Sequence, residues 1–348
     1  MGPAGLDGVV AAETRLSDVN GEAGTLIIAG AAVEALAGQV SFEQVCALVL
    51  GGTEAGHRRD LAQGRVWAAA RVPGQLLDDP MDALRAATAQ LPGDATPAQV
   101  IAAVGVFAAA WARKAAGLEP GVPDPSLGHA ADLLRLMRGN AQPPEVVRAF
   151  EAYLVTVCDH GMNASTFAAR VVASTRSDLV SSVVAAIGAL KGPLHGGAPG
   201  PVLDMLDAIG DAAGADAWLR RALDAGDRVM GMGHRIYRVR DPRALVLERA
   251  LAELERARSG GLGRLALARA VERRAEALLA ERHPDRPLKA NVEFYTAVLL
   301  EAVGVPRALF TAVFASARVA GWCAHVAEQR ESGRLIRPQS RYVGPRPA

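Results

Sequence analysis

Apolar positions along the chain recur at three- and four-residue spacing far more often than they alternate, which predicts helices almost throughout. Residues 146–157 carry this spacing and run into Asp159-His160-Gly161, where a glycine suits a helix end. Asn163 or Ser165 can open the next helix, which carries residues 167–172, and Ser177 is placed to cap a third through Leu190. Ser41-Phe-Glu-Gln reads as a capping box ahead of a helix to Leu50. Residues 51–145 read as several helices broken at Pro73, Pro80, Pro92-Gly93 and a loop over 117–128. Residues 199–225, long stretches within 244–281, an apolar run to Val303, and residues 307–329 complete the helical reading. The single β signal is a short hairpin around Asn20-Gly21. No fixed-period repeat is present, and residues 333–348 form a tail containing Pro and Gly.

Composition strengthens this picture. Half of the 348 residues are hydrophobic and only 4% are aromatic, with alanine abundant, so the prior is an all-α protein whose helices pack closely. The length suits one large domain or two modest ones. A formal net charge of +1 argues against nucleic acid as a partner, because phosphate binding needs a basic stripe. The basic residues are nearly all arginine, the lysines being Lys114, Lys191 and Lys289. Cys46, Cys158 and Cys323 are odd in number and lie in apolar stretches, which suits buried, reduced thiols in a cytoplasmic protein. Residues 1–7 lack the basic-then-apolar pattern of a secretory leader. The apolar run 100–112 stops at Arg113, too short for a bilayer span, so it is expected to be a core helix and no membrane partner is expected.

Candidate chemistry sits at the irregular, glycine-flanked points. Three of the seven histidines lie there: His160 in Asp-His-Gly-Met-Asn, His195 in Gly-Pro-Leu-His-Gly-Gly, and His234 in Gly-Met-Gly-His-Arg-Ile-Tyr-Arg. Rigid scaffolds present function on such loops. His57, His129 and His283 stand in polar surroundings and are expected at the surface, His325 in the core. None of these has metal-ligand spacing, and neither a phosphate-binding P-loop, a dinucleotide fingerprint nor a nucleophile elbow occurs. Arg238, Arg240 and Arg243 follow His234 closely. Arg318 is a lone charge in Phe314-Ala-Ser-Ala-Arg-Val-Ala-Gly-Trp322 and requires an anion, from a ligand or from a buried Asp or Glu. Glu293 lies among Val292, Phe294 and Tyr295. Apolar company raises a carboxyl pKa and suits a general base, although a salt-bridge partner or a helix N-terminal charge fits the same position.

Taken in order, these segments resemble the citrate synthase family. Asp159–Thr175 is similar to the family's helix with a substrate-binding histidine, and Gly188-Ala-Leu-Lys-Gly-Pro-Leu-His-Gly-Gly-Ala198 to its first catalytic histidine loop. Gly231-Met-Gly-His-Arg-Ile-Tyr-Arg-Val-Arg-Asp-Pro-Arg243 resembles the second such loop, and Asn291-Val-Glu the family's Asn-Val-Asp. Residues 314–322 and 335–344 resemble two C-terminal arginine segments, and Gly5-Leu-Asp-Gly-Val-Val-Ala the family's start.

The resemblance implies a two-domain helical fold, with residues 1–198 and 305–348 in a large domain and 199–304 in a smaller mobile one. It implies condensation of acetyl-CoA with oxaloacetate, with no metal and no cofactor beyond acetyl-CoA as substrate. It carries His195, His234 and Glu293 over as catalytic. His160, Arg243, Arg318 and Arg337 would bind oxaloacetate, with Arg337 reaching across a homodimer into the partner's site, and Arg238 and Lys289 would meet CoA. A 2-methylcitrate synthase using propionyl-CoA and a CoA- or oxaloacetate-binding homologue of weak activity share the same motifs. Three departures stand out: Glu293 replaces the family's Asp, Thr296-Ala297 its usual Ser-Gly, and Ala29-Gly-Ala-Ala-Val-Glu an Arg-Gly-Tyr-like pattern. The chain is also short between residues 51 and 80.

Overall fold

The hairpin expected at Asn20-Gly21 is formed by β1 (Ser17–Asn20) and β2 (Thr25–Ile28), antiparallel, with Ser17 opposite Ile28 and Asn20 opposite Thr25. Asn20 Oδ1 accepts from the amides of Glu22 (3.1 Å) and Ala23 (2.9 Å), closing the turn. A third strand, β3 (Ala31–Ala32), adds to β2. Two residues are too few to show a period, so it left no mark on the hydrophobic pattern.

The computed structural model describes residue 6 and residues 8–196, 199–258 and 263–347. Gly5 and Asp7 of the N-terminal segment, and Gly197 and Ala198 of the His195 loop, lie outside the described residues.

Apart from the small sheet the architecture is helical. In chain order come α1 (Val33–Leu36), α2 (Phe42–Leu50), α3 (Glu54–Ala69), α4 (Pro80–Ala89), α5 (Pro97–Ala115), α6 (His129–Arg138), α7 (Pro144–Val157) and α8 (Ala164–Ser174). They continue with α9 (Leu179–Lys191), α10 (Pro199–Ile209), α11 (Ala215–Asp224), α12 (Pro242–Ala257), α13 (Gly263–Arg282) and α14 (Val292–Ala302). A 3-10 turn (Arg307–Leu309) then leads into α15 (Phe310–Ser332).

Local chemistry explains most boundaries. Ser41 Oγ accepts from the Gln44 amide at the start of α2. Thr96 and Gln99 form a reciprocal capping box at α5. Pro80, read as a breaker, occupies the first turn of α4 behind the Asp79 cap, because the missing N–H costs nothing where no acceptor exists. The cap of α9 is Asp178 rather than Ser177. A carboxylate accepts more strongly from the unpaired first-turn amides, which are the positive end of the helix dipole.

Helices α5 and α15 form the centre. α5 packs against α3, α4, α6 and α15, while α15 also meets α2, α7, α8 and α9. α15 with its preceding turn is long and apolar enough to cross a bilayer, but 89% of its apolar window is buried inside the protein, as a core helix requires. Helices α10 to α14 pack largely on one another, with α12 and α14 laid against α7.

His129 corrects a sequence expectation. Instead of lying at the surface it is fully buried, stacked on Phe42 with ring centroids 5.2 Å apart. It begins α6, and the amphipathic face of that helix turns it inward. His57 is half-buried against Gly51, and His283 is exposed.

Candidate active site

Helix α7 ends at Asp159-His160-Gly161, and a buried polar chain holds this turn. Asp159 accepts from Ser17 Oγ (2.5 Å) and lies 3.2 Å from His325 Nε2. His325 Nδ1 accepts from Arg170 (2.8 Å), and Arg170 pairs with Glu328 (2.7 Å). Burial pushes the Asp159 carboxyl up, but His325, Ser17 and Arg318 together hold it below the usual carboxylate range. α15 reaches this turn only because residue 321 is glycine: a Cβ there would stand 2.4 Å from the Cys158 carbonyl oxygen.

The His195 loop follows α9. His195 N–H donates to Gly192 O (2.9 Å), and Thr311 Oγ1 on α15 donates to Gly196 O (2.9 Å). The ring Nε2 lies 2.8 Å from Ser165 Oγ, which also accepts from Trp322 Nε1 (3.1 Å). Asn163 Oδ1 accepts from that hydroxyl (2.7 Å) as well as from the amides of Ser165 and Thr166.

The His234 loop and the start of α14 are zipped together. Gly233 N–H donates to Lys289 O (2.7 Å), Asn291 N–H to Gly231 O (2.9 Å) and Asn291 Nδ2 to Gly233 O (2.8 Å). Asn291 also caps α14 through the Glu293 amide (3.1 Å). These bonds tie a histidine and a carboxylate 59 positions apart into one substructure. The β1–β2 turn buttresses the loop from the other side. Arg238 N–H donates to Gly21 O (2.9 Å), and a Cβ on Gly21 would stand 2.2 Å from Ile236 O.

Within the loop, His234 Nδ1 accepts from the amides of Ile236 (3.0 Å) and Tyr237 (3.1 Å), so the neutral ring carries its proton on Nε2. That Nε2 lies 3.4 Å from Arg243 Nη2, and Arg243 is itself held by Asp241 (2.7 Å). Two donors converging in this way suit an acceptor oxygen placed between them. The ring of His160 lies 5.8 Å from that of His234, and its Nε2 is 3.1 Å from the Tyr237 hydroxyl.

Arg318 is 1% exposed. Its Nε donates to Val157 O (2.6 Å) and its guanidinium lies over Phe314, but its buried Nη2 has no partner. Among the described residues no carboxylate pairs with it, so the structural ion pair left open by the sequence is absent. Burial lowers its pKa to about 10, with Asp159 opposing and Arg243 reinforcing the shift. The electrostatics shows the convergence: His160 feels Arg243, Arg318, His234 and His195 together. Glu293 feels Arg243 and Asp241. Its carboxyl is pushed up by burial, with Arg243 opposing, and it has no side-chain partner among the described residues.

A model of the family described as citrate synthase, C-terminal domain, matches residues 5–339. The chain belongs to the citrate synthase family. A citrate synthase of Haloferax volcanii is 38% identical, covering 98% of this chain and 95% of the relative. A 2-methylcitrate synthase of Mycobacterium tuberculosis strain Erdman is 36% identical, covering 98% and 90%. The crystal structure of citrate synthase from Pyrobaculum aerophilum superposes with a TM-score of 0.88 at 33% identity, covering 99% of this chain and 93% of that one. That of citrate synthase from Thermoplasma acidophilum, a ternary complex with carboxymethyl coenzyme A and oxaloacetate, gives 0.86 at 28%, covering 99% and 96%.

The remaining residues singled out on grounds of family likeness are not gathered in this way. Arg238 is exposed beside the hairpin. Lys289 is paired with Glu276 (2.9 Å). Arg337 is exposed in the tail, whose Ile336 amide is tethered to Ser174 Oγ (3.0 Å). Arg240 is taken up by Glu248 and Glu272. Sequence reasoning named Ser165 only as a helix start and gave Tyr237 and Trp322 no role in the site. Each lies inside a quoted motif, but only the fold shows which ring each one touches.

Histidine burial sets an acid limit on stability. Desolvation, aided by Arg318 for His195 and by Arg243 for His234, depresses both to about 4, and His129 and His160 lie well below the ordinary value. Between pH 6.5 and about 4 the unfolded chain binds protons that these folded rings refuse, so stability falls on acidification. Glu151, raised to about 7 by burial, and Glu293 act in the opposite sense over part of this range. Four rings outnumber the two carboxyls, so the net effect below pH 6.5 is a loss of stability. Urea denaturation at pH 5.0 and 7.0 is expected to show a clearly lower midpoint at pH 5.0; equal midpoints would contradict this account.

Proposed function

We propose that this protein condenses acetyl-CoA with oxaloacetate and hydrolyses the resulting citryl-CoA to citrate and CoA, as a citrate synthase of the tricarboxylic acid cycle. The observation that carries the reading is Arg318, a buried guanidinium with a free Nη2 beside the donors of His160, His234 and Arg243. A small dicarboxylate bearing a ketone supplies the anion and the acceptor this arrangement lacks.

A thioester α-proton is far less acidic than a carboxylic acid, and each pKa unit of mismatch costs about 1.36 kcal/mol. In this reading Glu293 takes the methyl proton while a ring N–H of His195 stabilises the negative charge forming on the thioester oxygen. The enol carbon attacks the oxaloacetate ketone, which is polarised by His234 Nε2–H, and the new alkoxide takes that proton. Water then cleaves the thioester, giving citrate and CoA. Arg243, Arg318 and His160 hold the carboxylates through charge-assisted and neutral hydrogen bonds. Arg337 completes the site from the partner subunit of a cytoplasmic homodimer, and Arg238 meets the CoA phosphates. Lys289 can assist there only by exchanging Glu276 for a phosphate. Closure of the unit 199–304 onto the rest of the chain would exclude water while the enol exists.

Propionyl-CoA adds one methylene, a difference that an apolar pocket discriminates by only about 1–3 kcal/mol. Thiol release from acetyl-CoA and from propionyl-CoA, each with and without oxaloacetate, tests both readings. Oxaloacetate-dependent release with a higher kcat/KM for acetyl-CoA is expected. A higher value for propionyl-CoA would make the protein a 2-methylcitrate synthase, and no release with either would leave it a binding homologue.

A further inference from the structure

Tyr237 stands at the junction of two site histidines and touches each by a different group. Its backbone N–H donates to His234 Nδ1 (3.1 Å), and its hydroxyl lies 3.1 Å from His160 Nε2. Its ring packs against both imidazoles, with centroids 4.8 Å from His234 and 5.7 Å from His160, and lies 5.8 Å from the Arg243 guanidinium carbon. The side chain is 2% exposed, so water does not compete freely for the hydroxyl.

The direction of the hydroxyl bond follows from what surrounds it. A tyrosine O–H is both donor and acceptor, whereas a neutral imidazole has one nitrogen of each kind. Arg243 offers only donors, and His234 faces the site with Nε2–H, its Nδ1 being occupied by two amides. Among the described residues, the acceptor within bonding distance of the Tyr237 hydroxyl is His160 Nε2. Burial keeps the phenol protonated, raising its pKa well above the ordinary value, and keeps His160 neutral.

We propose that Tyr237 is a positioning residue that sets opposite tautomers on the two histidines, donating its backbone N–H to His234 Nδ1 and its hydroxyl hydrogen to His160 Nε2. His234 then offers Nε2–H and His160 offers Nδ1–H, so two uncharged rings both serve as donors. This deepens the oxaloacetate reading and rests on it: a ketone and a carboxylate both need hydrogen-bond donors, and an imidazole held in the other tautomer would present a lone pair to a carboxylate. Tyr237 itself need touch no reacting atom.

Tyr237→Phe keeps the backbone amide and the ring and deletes only the hydroxyl, so it isolates the His160 half of the device. In protein labelled with 15N-histidine, and with the His160 signal assigned by its loss in His160→Gln, the wild type is expected to show an unprotonated Nε2 and a protonated Nδ1 at His160. In Tyr237→Phe that signature is expected to shift toward protonated Nε2, while His234 keeps its own. The KM for oxaloacetate is expected to rise about tenfold with a smaller change in kcat. A wild-type His160 carrying its proton on Nε2 would overturn the proposal, as would a Tyr237→Phe protein with unchanged His160 signals. The NMR reading requires no turnover, so it stands apart from the thiol-release assay on which the function itself depends.

Discussion

Glu293→Gln is expected to lower kcat by about 10²–10⁴-fold, the usual contribution of a positioned general base, while oxaloacetate binding stays near wild type. The amide preserves the shape and the Asn291 cap on the residue 293 amide but cannot accept the methyl proton. Calorimetric titration with oxaloacetate and steady-state thiol release separate the two effects, and full turnover in this variant would remove Glu293 from the mechanism. A sharper result is expected from Glu293→Asp, which keeps the carboxylate and changes only its reach. Shortening the side chain by one methylene withdraws the carboxylate by about 1 Å, and a misplacement of that size can cost about a hundredfold in rate. Glu293→Asp is therefore expected to lose rate, and a variant as fast as the wild type would show that the site does not depend on the longer acid. A raised Glu293 carboxyl also places the ascending limb of the kcat/KM profile above the ordinary carboxylate range, since the base works only when ionised.

Arg318→Met is expected to weaken oxaloacetate binding by two orders of magnitude or more. Charge-assisted hydrogen bonds contribute about 1.5–3 kcal/mol each, and the terminal guanidinium nitrogens can supply two. The stability of the free protein is expected to change little. Removing an unpaired buried cation is favourable, and this offsets the loss of the Nε bond to Val157 O. Oxaloacetate at a concentration that just saturates the wild type is expected to raise its Tm, through preferential binding to the folded state, and to raise that of Arg318→Met far less. Unchanged affinity in the variant would show that the orphaned Nη2 has another purpose.

Both expectations begin in features the sequence displays and end in features it does not. Arg318 was recognisable as a lone charge in an apolar run, because helical spacing put it on a buried face. Only the packing of α15 on the end of α7 shows what meets it: the Val157 carbonyl bonds its Nε, and no carboxylate among the described residues forms an ion pair with it. Glu293 was recognisable as an acid among apolar neighbours. Its closeness to the His234 loop arises from hydrogen bonds between residues 231–233 and 289–291, a pairing too short and irregular to leave a pattern.

What the chain determined by itself is the local order. Helical periodicity, caps such as Ser41, Thr96 and Asn291, and the breaks around His160, His195 and His234 all follow from preferences that act within one or two turns. The order of the motifs along the chain likewise pointed to the family. Tertiary structure decided the rest: the inward turn of His129, the glycine at 321 that admits α15, and the hydroxyls that orient each imidazole. These depend on contacts between residues such as His160 and Tyr237, 77 positions apart, or His325 and Asp159, 166 apart. Periodicity reports which face of a helix is apolar, but a hydrogen bond across such distances exists only once the faces have met.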